Sequence, residues 1–153
     1  KNSSQQKPRV KQDTKQSQEK FKRILLVEDN EINQMVAQTM LEAYADKIDI
    51  ADHGLEAIDT LNASQQTGEH YDLILMDCQM PQLDGYQTTI KIRQGECGKH
   101  YQTIPIIAMT ANAMVGDKEK CLEAGMDDYI VKPIDKGLLE QTLQQWQQRI
   151  LLA

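Results

Sequence analysis

The sequence predicts a doubly wound α/β fold, a five-stranded parallel sheet with helices on both faces, and three observations support it. Short apolar runs alternate with longer amphipathic stretches five times along the chain, the pattern of βα units joined by right-handed crossovers. Four of the apolar runs end abruptly on polar chemistry: Leu25-Leu26-Val27 on Glu28-Asp29, Ile74-Leu75-Met76 on Asp77, Ile106-Ile107-Ala108-Met109 on Thr110, and Tyr129-Ile130-Val131 on Lys132-Pro133. In an open parallel sheet such strand tips share one edge, where these folds place their sites. Finally, 153 residues with 40% hydrophobic side chains suffice for one domain with a single good core.

Residues 1–20 are rich in Lys, Gln, Ser and Asp and nearly devoid of apolar side chains, so they cannot bury enough surface to offset their ordering entropy. They are expected to be a linker or tail before a folded domain at 21–149 and a short end at 150–153. The first residue is not Met, which suggests a processed chain or a segment of something longer.

Residues 22–27 read as the first strand. Residues 31–45 read as a helix with Ile32, Val36, Met40, Ala43 and Tyr44 at helical spacing, and 47–51 as a short strand. A second helix over 54–63 carries Leu55, Ile58 and Leu61, and a polar loop at 64–70 leads into a strand over 72–76. There Pro81 and Asp84-Gly85 turn the chain into a third helix, 86–94, ended by Gly95. Residues 104–109 form a fourth strand, with Pro105 near its start where a missing donor is tolerable. A fourth helix over 113–124 is closed by Gly125, and 128–131 is the fifth strand. Asp135 then caps a last helix through Trp146, with Leu138, Leu139, Leu143 and Trp146 as its buried stripe. Five strands fit the flavodoxin-like order 2-1-3-4-5 better than the six-stranded dinucleotide type.

Composition narrows function. A net charge of −6 gives no basic footprint for nucleic acid. No apolar run approaches the roughly 20 residues of a membrane helix, and there is no secretory signal. Cys78, Cys97 and Cys121 are odd in number and far apart, without a Cys-x-x-Cys, which speaks against a disulfide framework or structural zinc and for a reducing compartment. His53, His70 and His100 are not at metal-ligand spacing and read as loop or helix-end residues. The turn after the first strand lacks the Gly-x-Gly-x-x-Gly and P-loop patterns and carries Glu28-Asp29-Asn30 instead.

In the 2-1-3-4-5 order the first and third strands are neighbours, so Glu28, Asp29 and Asp77 converge, and like charges at that range require compensation. Mg²⁺ suits such a site, since it takes one or two carboxylates plus a phosphate and keeps several waters. Asp77 then qualifies as a nucleophile forming an aspartyl phosphate. Lys132 would hold one phosphate oxygen, and Thr110 with the following backbone amide, that of Ala111, another. A lone acid at a strand tip is ordinarily a cap or a solvated turn; four reactive tips together are harder to explain that way.

Val27-Glu28-Asp29-Asn30, Met76-Asp77-Cys78-Gln79-Met80-Pro81 with Asp84-Gly85, Ala108-Met109-Thr110-Ala111, and Lys132-Pro133 together resemble the phosphoacceptor receiver domains of two-component signalling, over residues 21 to about 146. The resemblance implies that Asp77 is phosphorylated, that Asp29 ligates Mg²⁺ (or Mn²⁺) directly, that Glu28 acts through a metal-bound water, and that the Gln79 backbone carbonyl is a further ligand. It also implies that Thr110 and Tyr129 reorient on phosphorylation and that Lys132 binds the phosphate. Glu28 stands where many members have Asp, a difference expected to alter the water shell more than the reaction. The Glu-Asp-Asn opening with Asn33 and Val36 is closest to receivers of hybrid histidine kinases. The partner is then a histidine kinase or histidine phosphotransfer domain carrying phosphohistidine, and the location cytoplasmic, beneath an inner-membrane sensor kinase.

Ile32 and Met35, early in the first helix, and Pro133 and Ile134, after Lys132, are expected to flank Asp77 and form the partner-docking rim. Three other readings are a stand-alone regulator, a degenerate receiver used only for binding, and a turnover phosphatase. The intact acidic, Thr and Lys positions argue against the degenerate form. A phosphatase would need a second acid as general acid; Asp84 lies in the right loop but fits its Asp-Gly turn better.

Overall fold

The computed structural model describes residues 20–80, 83–111 and 115–151. The expected linker at 1–19, Pro81 and the start of the fourth helix at Ala113 lie outside them. Strands β1 (Phe21–Val27), β2 (Ala45–Ala51), β3 (Leu73–Asp77), β4 (Ile106–Thr110) and β5 (Asp128–Val131) form one parallel sheet in the order β2-β1-β3-β4-β5. This is the expected flavodoxin-like order. Helices α1 (Glu31–Leu41), α2 (Gly54–Thr67), α3 (Gly85–Arg93), α4 (Val115–Ala124) and α5 (Lys136–Leu151) connect and follow them, with a short 3₁₀ turn at Lys99–Gln102.

Strands β3 and β4 and most of β1 are buried on both faces, and their period of two sorts side chains between two cores. Leu25, Val27, Ile74, Met76, Ile106 and Ala108 pack under α2, α3 and α4 with Ala57, Leu61, Ile92 and Cys121. Ile24, Leu26, Leu73, Leu75, Ile107 and Met109 pack under α1 and α5 with Ala37, Leu41, Leu139, Leu143 and Trp146. Four helix starts follow from their caps: Asn30 accepts from the Asn33 amide, His53 Nδ1 from Glu56, Asp84 from Gln87, and Asp135 from Leu138.

Several expectations need correction. α1 stops at Leu41 rather than 45, because the Tyr44 amide turns back to the Leu41 carbonyl at 2.8 Å and Ala45 already pairs with Phe21. Residues 64–67 are helical, not loop: Ser64 is buried, its hydroxyl bonds the Leu61 carbonyl, and Gly68 at φ 80° ends the helix. The fourth strand begins at Ile106 rather than 104, and α5 runs on to Leu151. The buried face of α1 is Ala37 and Leu41, not the Ile32 and Val36 row, which is 71% and 41% exposed. Leu138, expected in the buried stripe of the last helix, is 54% exposed, and Leu55, part of the apolar spacing of α2, is 48% exposed. These helices carry more apolar residues than the sector facing the sheet can cover. No helix among the described residues is long and apolar enough to cross a membrane.

Candidate functional site

Register sets the site. Val27 pairs with Met76, so Glu28 and Asp77 leave neighbouring tips; Asp77 lies opposite Met109, and Thr110 opposite Val131, which brings Thr110 and Lys132 alongside. The Cys78 amide bonds the Met109 carbonyl at 2.9 Å and the Lys132 amide the Thr110 carbonyl at 2.7 Å, fixing those tips to each other.

Glu28, Asp29 and Asp77 each offer a carboxylate oxygen within 4.8 Å of the others, Glu28 and Asp77 buried and Asp29 exposed. The Lys132 ammonium bridges the two buried ones, 3.1 Å from Asp77 Oδ2 and 2.9 Å from Glu28 Oε1. The latter contact is close in distance but outside hydrogen-bond geometry, so Glu28 Oε1 is buried without a hydrogen-bond donor; Oε2 accepts from the Asn30 amide. A buried carboxylate oxygen held only by an ion pair, beside two more carboxylates, is a donor set suited to a hard divalent cation.

Burial lifts the Asp77 carboxyl to about 6; the Gln79 amide on Oδ1 at 3.1 Å and Lys132 work against that rise, and Glu28 adds to it. Burial alone would lower Lys132, but Glu28 and Asp77 outweigh it and hold the ammonium above the usual lysine value. Thr110 is buried at the end of β4 and Ala111 follows it, exposed. Tyr129 is half-buried on β5 against the core under α4, with the Lys118 ammonium 5.8 Å above its ring. Asp84 is committed to capping α3, as its turn suggested. Ile32 and Met35 stand exposed on the first turns of α1 beside Asp29, Pro133 is exposed, and Ile134 is half-buried against the core under α5.

The sequence reading missed the direct pairing of Lys132 with Glu28; only the strand order brings those tips together. It also missed a groove of about 500 Å³ between α1 and α5, lined by Met35, Val36, Met40 and Lys136 among others. Exposed Val36 extends the apolar surface of Ile32 and Met35 into it. A second cavity, of about 460 Å³, opens beside Asp29 and Gln79 and is bounded by Cys78, Tyr86, Asp117 and Lys120.

Fold and site together define a doubly wound α/β domain whose acidic cluster lies across the two neighbouring strand tips where the chain order reverses. The family model for the response regulator receiver domain matches residues 24–144, and the chain belongs to that family. It is 44% identical over 124 residues to the sensor histidine kinase GacS of Pseudomonas protegens, covering 81% of this chain and 13% of the relative. The chain thus spans only 6% to 15% of the length of such curated relatives. Among solved structures, it resembles the receiver domain of the sensor histidine kinase PA1611 of Pseudomonas aeruginosa, which has a magnesium ion in its active-site cleft, at 42% identity and TM-score 0.69, covering 82% of this chain and 97% of that one. It also resembles the Saccharomyces cerevisiae Ssk1 receiver crystallised with the phosphotransfer protein Ypd1, at 27% identity and TM-score 0.70, covering 84% and 91%.

Proposed function

We propose that this domain takes a phosphoryl group from phosphohistidine onto Asp77 in a Mg²⁺- or Mn²⁺-dependent reaction, as the cytoplasmic receiver of a hybrid histidine kinase phosphorelay. The observation that carries this is the trio Glu28, Asp29 and Asp77 on adjoining strand tips, with Lys132 paired to Glu28 and Asp77.

Asp29, Asp77, Glu28 through a water, and the Gln79 carbonyl would hold the cation, which when bound neutralises phosphoryl oxygens against the carboxylates. The Gln79 amide and the Lys132 ammonium orient the Asp77 carboxylate. One of its oxygens forms the new bond to phosphorus while the P–N bond of the donor breaks, and the imidazole leaves with that electron pair. Lys132 then turns its charge to one phosphoryl oxygen, and Thr110 with the Ala111 amide holds another. Movement of Thr110 toward the phosphoryl group frees space for Tyr129 to turn inward, and α4, β5 and α5 shift with it.

The partner docks on Ile32, Met35, Pro133 and Ile134, with exposed Val36 extending that surface, where a histidine-bearing helix can lay an apolar face next to Asp77. The co-crystallised Ssk1 receiver supports this reading, as a relative that engages a phosphotransfer protein.

Incubation with a small phosphodonor should add the mass of one phosphoryl group, stable in acid and lost in base, only when Mg²⁺ is present. Asp77→Asn should not be labelled, and Asp29→Asn should weaken metal binding more than Glu28→Gln. Full labelling in a chelator, or of Asp77→Asn, would reject the assignment.

A further inference from the structure

Cys78 and Cys121 take no part in the reaction above, yet their Sγ atoms lie 3.9 Å apart, both residues 2% exposed or less. The alternation of β3 sends Cys78 to the face opposite Leu73 and Leu75, under α4, and α4 presents Cys121 to it. The contact therefore joins the residue after the phosphoacceptor to one of the elements that moves. The third thiol, Cys97, is as deeply buried but contacts the Ile58 carbonyl.

We propose that Cys78 and Cys121 are a reversible dithiol–disulfide pair, whose closure pins α4 to the tip of β3 and blocks the response of α4 and β5 to phosphorylation. The second half rests on the phosphoacceptor reading; the first does not.

A peroxide supplies the oxidising equivalents. One thiol gives up its proton and its sulfur attacks a peroxide oxygen; the O–O bond breaks, a sulfenic acid forms, and the departing hydroxide takes up that proton and leaves as water. The second sulfur attacks the sulfenic sulfur, the S–S bond forms, and the hydroxyl departs as a second water with the thiol proton. Two thiols lose two electrons and two protons in all, and a dithiol reductant returns them by exchange. The sulfurs must close from 3.9 Å to the ~2.05 Å of a bond, which calls for side-chain rotation and a small approach of α4 to β3. The cavity that reaches Cys78 beside Gln79 and Tyr86 gives a small oxidant its approach. Both thiols are buried, so the pair meets oxidant only through that cavity and closes slowly, under sustained rather than passing oxidant.

The domain is treated with hydrogen peroxide, then unfolded, alkylated and weighed. We expect a loss of two hydrogens and one alkylated cysteine, Cys97, in place of the three free thiols of the reduced chain; dithiothreitol should restore all three. Cys97→Ser should still lose two hydrogens, and Cys121→Ser should not. Three alkylated thiols after oxidation, or a bond to Cys97, would overturn the pair. Oxidised and reduced protein are then labelled with the same phosphodonor and Mg²⁺, and amide shifts are followed in α4 and at Tyr129. Both forms should be labelled, with the shifts lost only in the oxidised form. Equal shifts in both would overturn the pinning; failure to label the reduced form would count against the phosphoacceptor reading and leave the mass result standing.

Discussion

Asp77 carries a conflict between burial and charge. Its carboxyl lies at about 6 in the fold against an ordinary 3.8, so between those values the native state holds more protons than the unfolded chain, and stability falls as pH rises. Above about pH 6 the metal-free domain bears the full cost of an ionised, buried Asp77. In chelator at pH 7.5, Asp77→Asn should therefore be more stable than wild type by about 1–3 kcal/mol, one pKa unit being worth about 1.4. The gain should disappear below about pH 4, which thermal melts across pH would show; a pH-independent difference would contradict the cause. Most residues of this site were legible in the sequence, because Glu28, Asp77, Thr110 and Lys132 each directly follow or end a recognisable apolar run. The Glu28 to Lys132 ion pair and the Cys78 to Cys121 contact were not, since 104 and 43 positions separate the partners and only packing joins them.

At the level of elements, the turn from β3 into α3 depends on the missing side chain of Gly85. A Cβ there would stand 2.2 Å from the Asp77 carbonyl oxygen and 2.9 Å from Cys78 Cα, while the Gly85 amide bonds the Cys78 carbonyl at 3.1 Å. Gly85→Ala should cost about 1–3 kcal/mol in urea titration and slow phosphodonor labelling, because the backbone of Asp77 itself must yield. Gly116, in the first turn of α4, has nothing within 4 Å of an added Cβ. Gly116→Ala should be neutral or stabilising by up to about 1 kcal/mol. The five βα units could be read from alternation, and their order from the strand count, which fits the 2-1-3-4-5 arrangement. Helix faces could not, because the row through Ile32 and Val36 and the row through Ala37 and Leu41 are both apolar on α1, and only contact with β1 and α5 selects the second.

For the whole molecule, the leftover row becomes the exposed apolar surface beside the site. If it docks a histidine-bearing partner, Ile32→Asp with Met35→Asp should reduce transfer from a phosphohistidine protein by about tenfold or more, a loss of some 1.4 kcal/mol of binding or positioning. Labelling by a small phosphodonor should be unaffected, and parallel losses in the two assays would reject the surface. The helices divide two and three across the sheet, and every reactive group sits at the edge where the strands end. The connections at the opposite edge carry none of that chemistry. Gly68, between α2 and β3, is exposed with open space around its Cα, whereas Glu69 next to it ties back to Arg23. A folded reporter spliced in at Gly68, with the Glu69 to Arg23 link kept, should leave phosphodonor labelling intact and make the domain a chassis for a genetically encoded sensor read from its own far side.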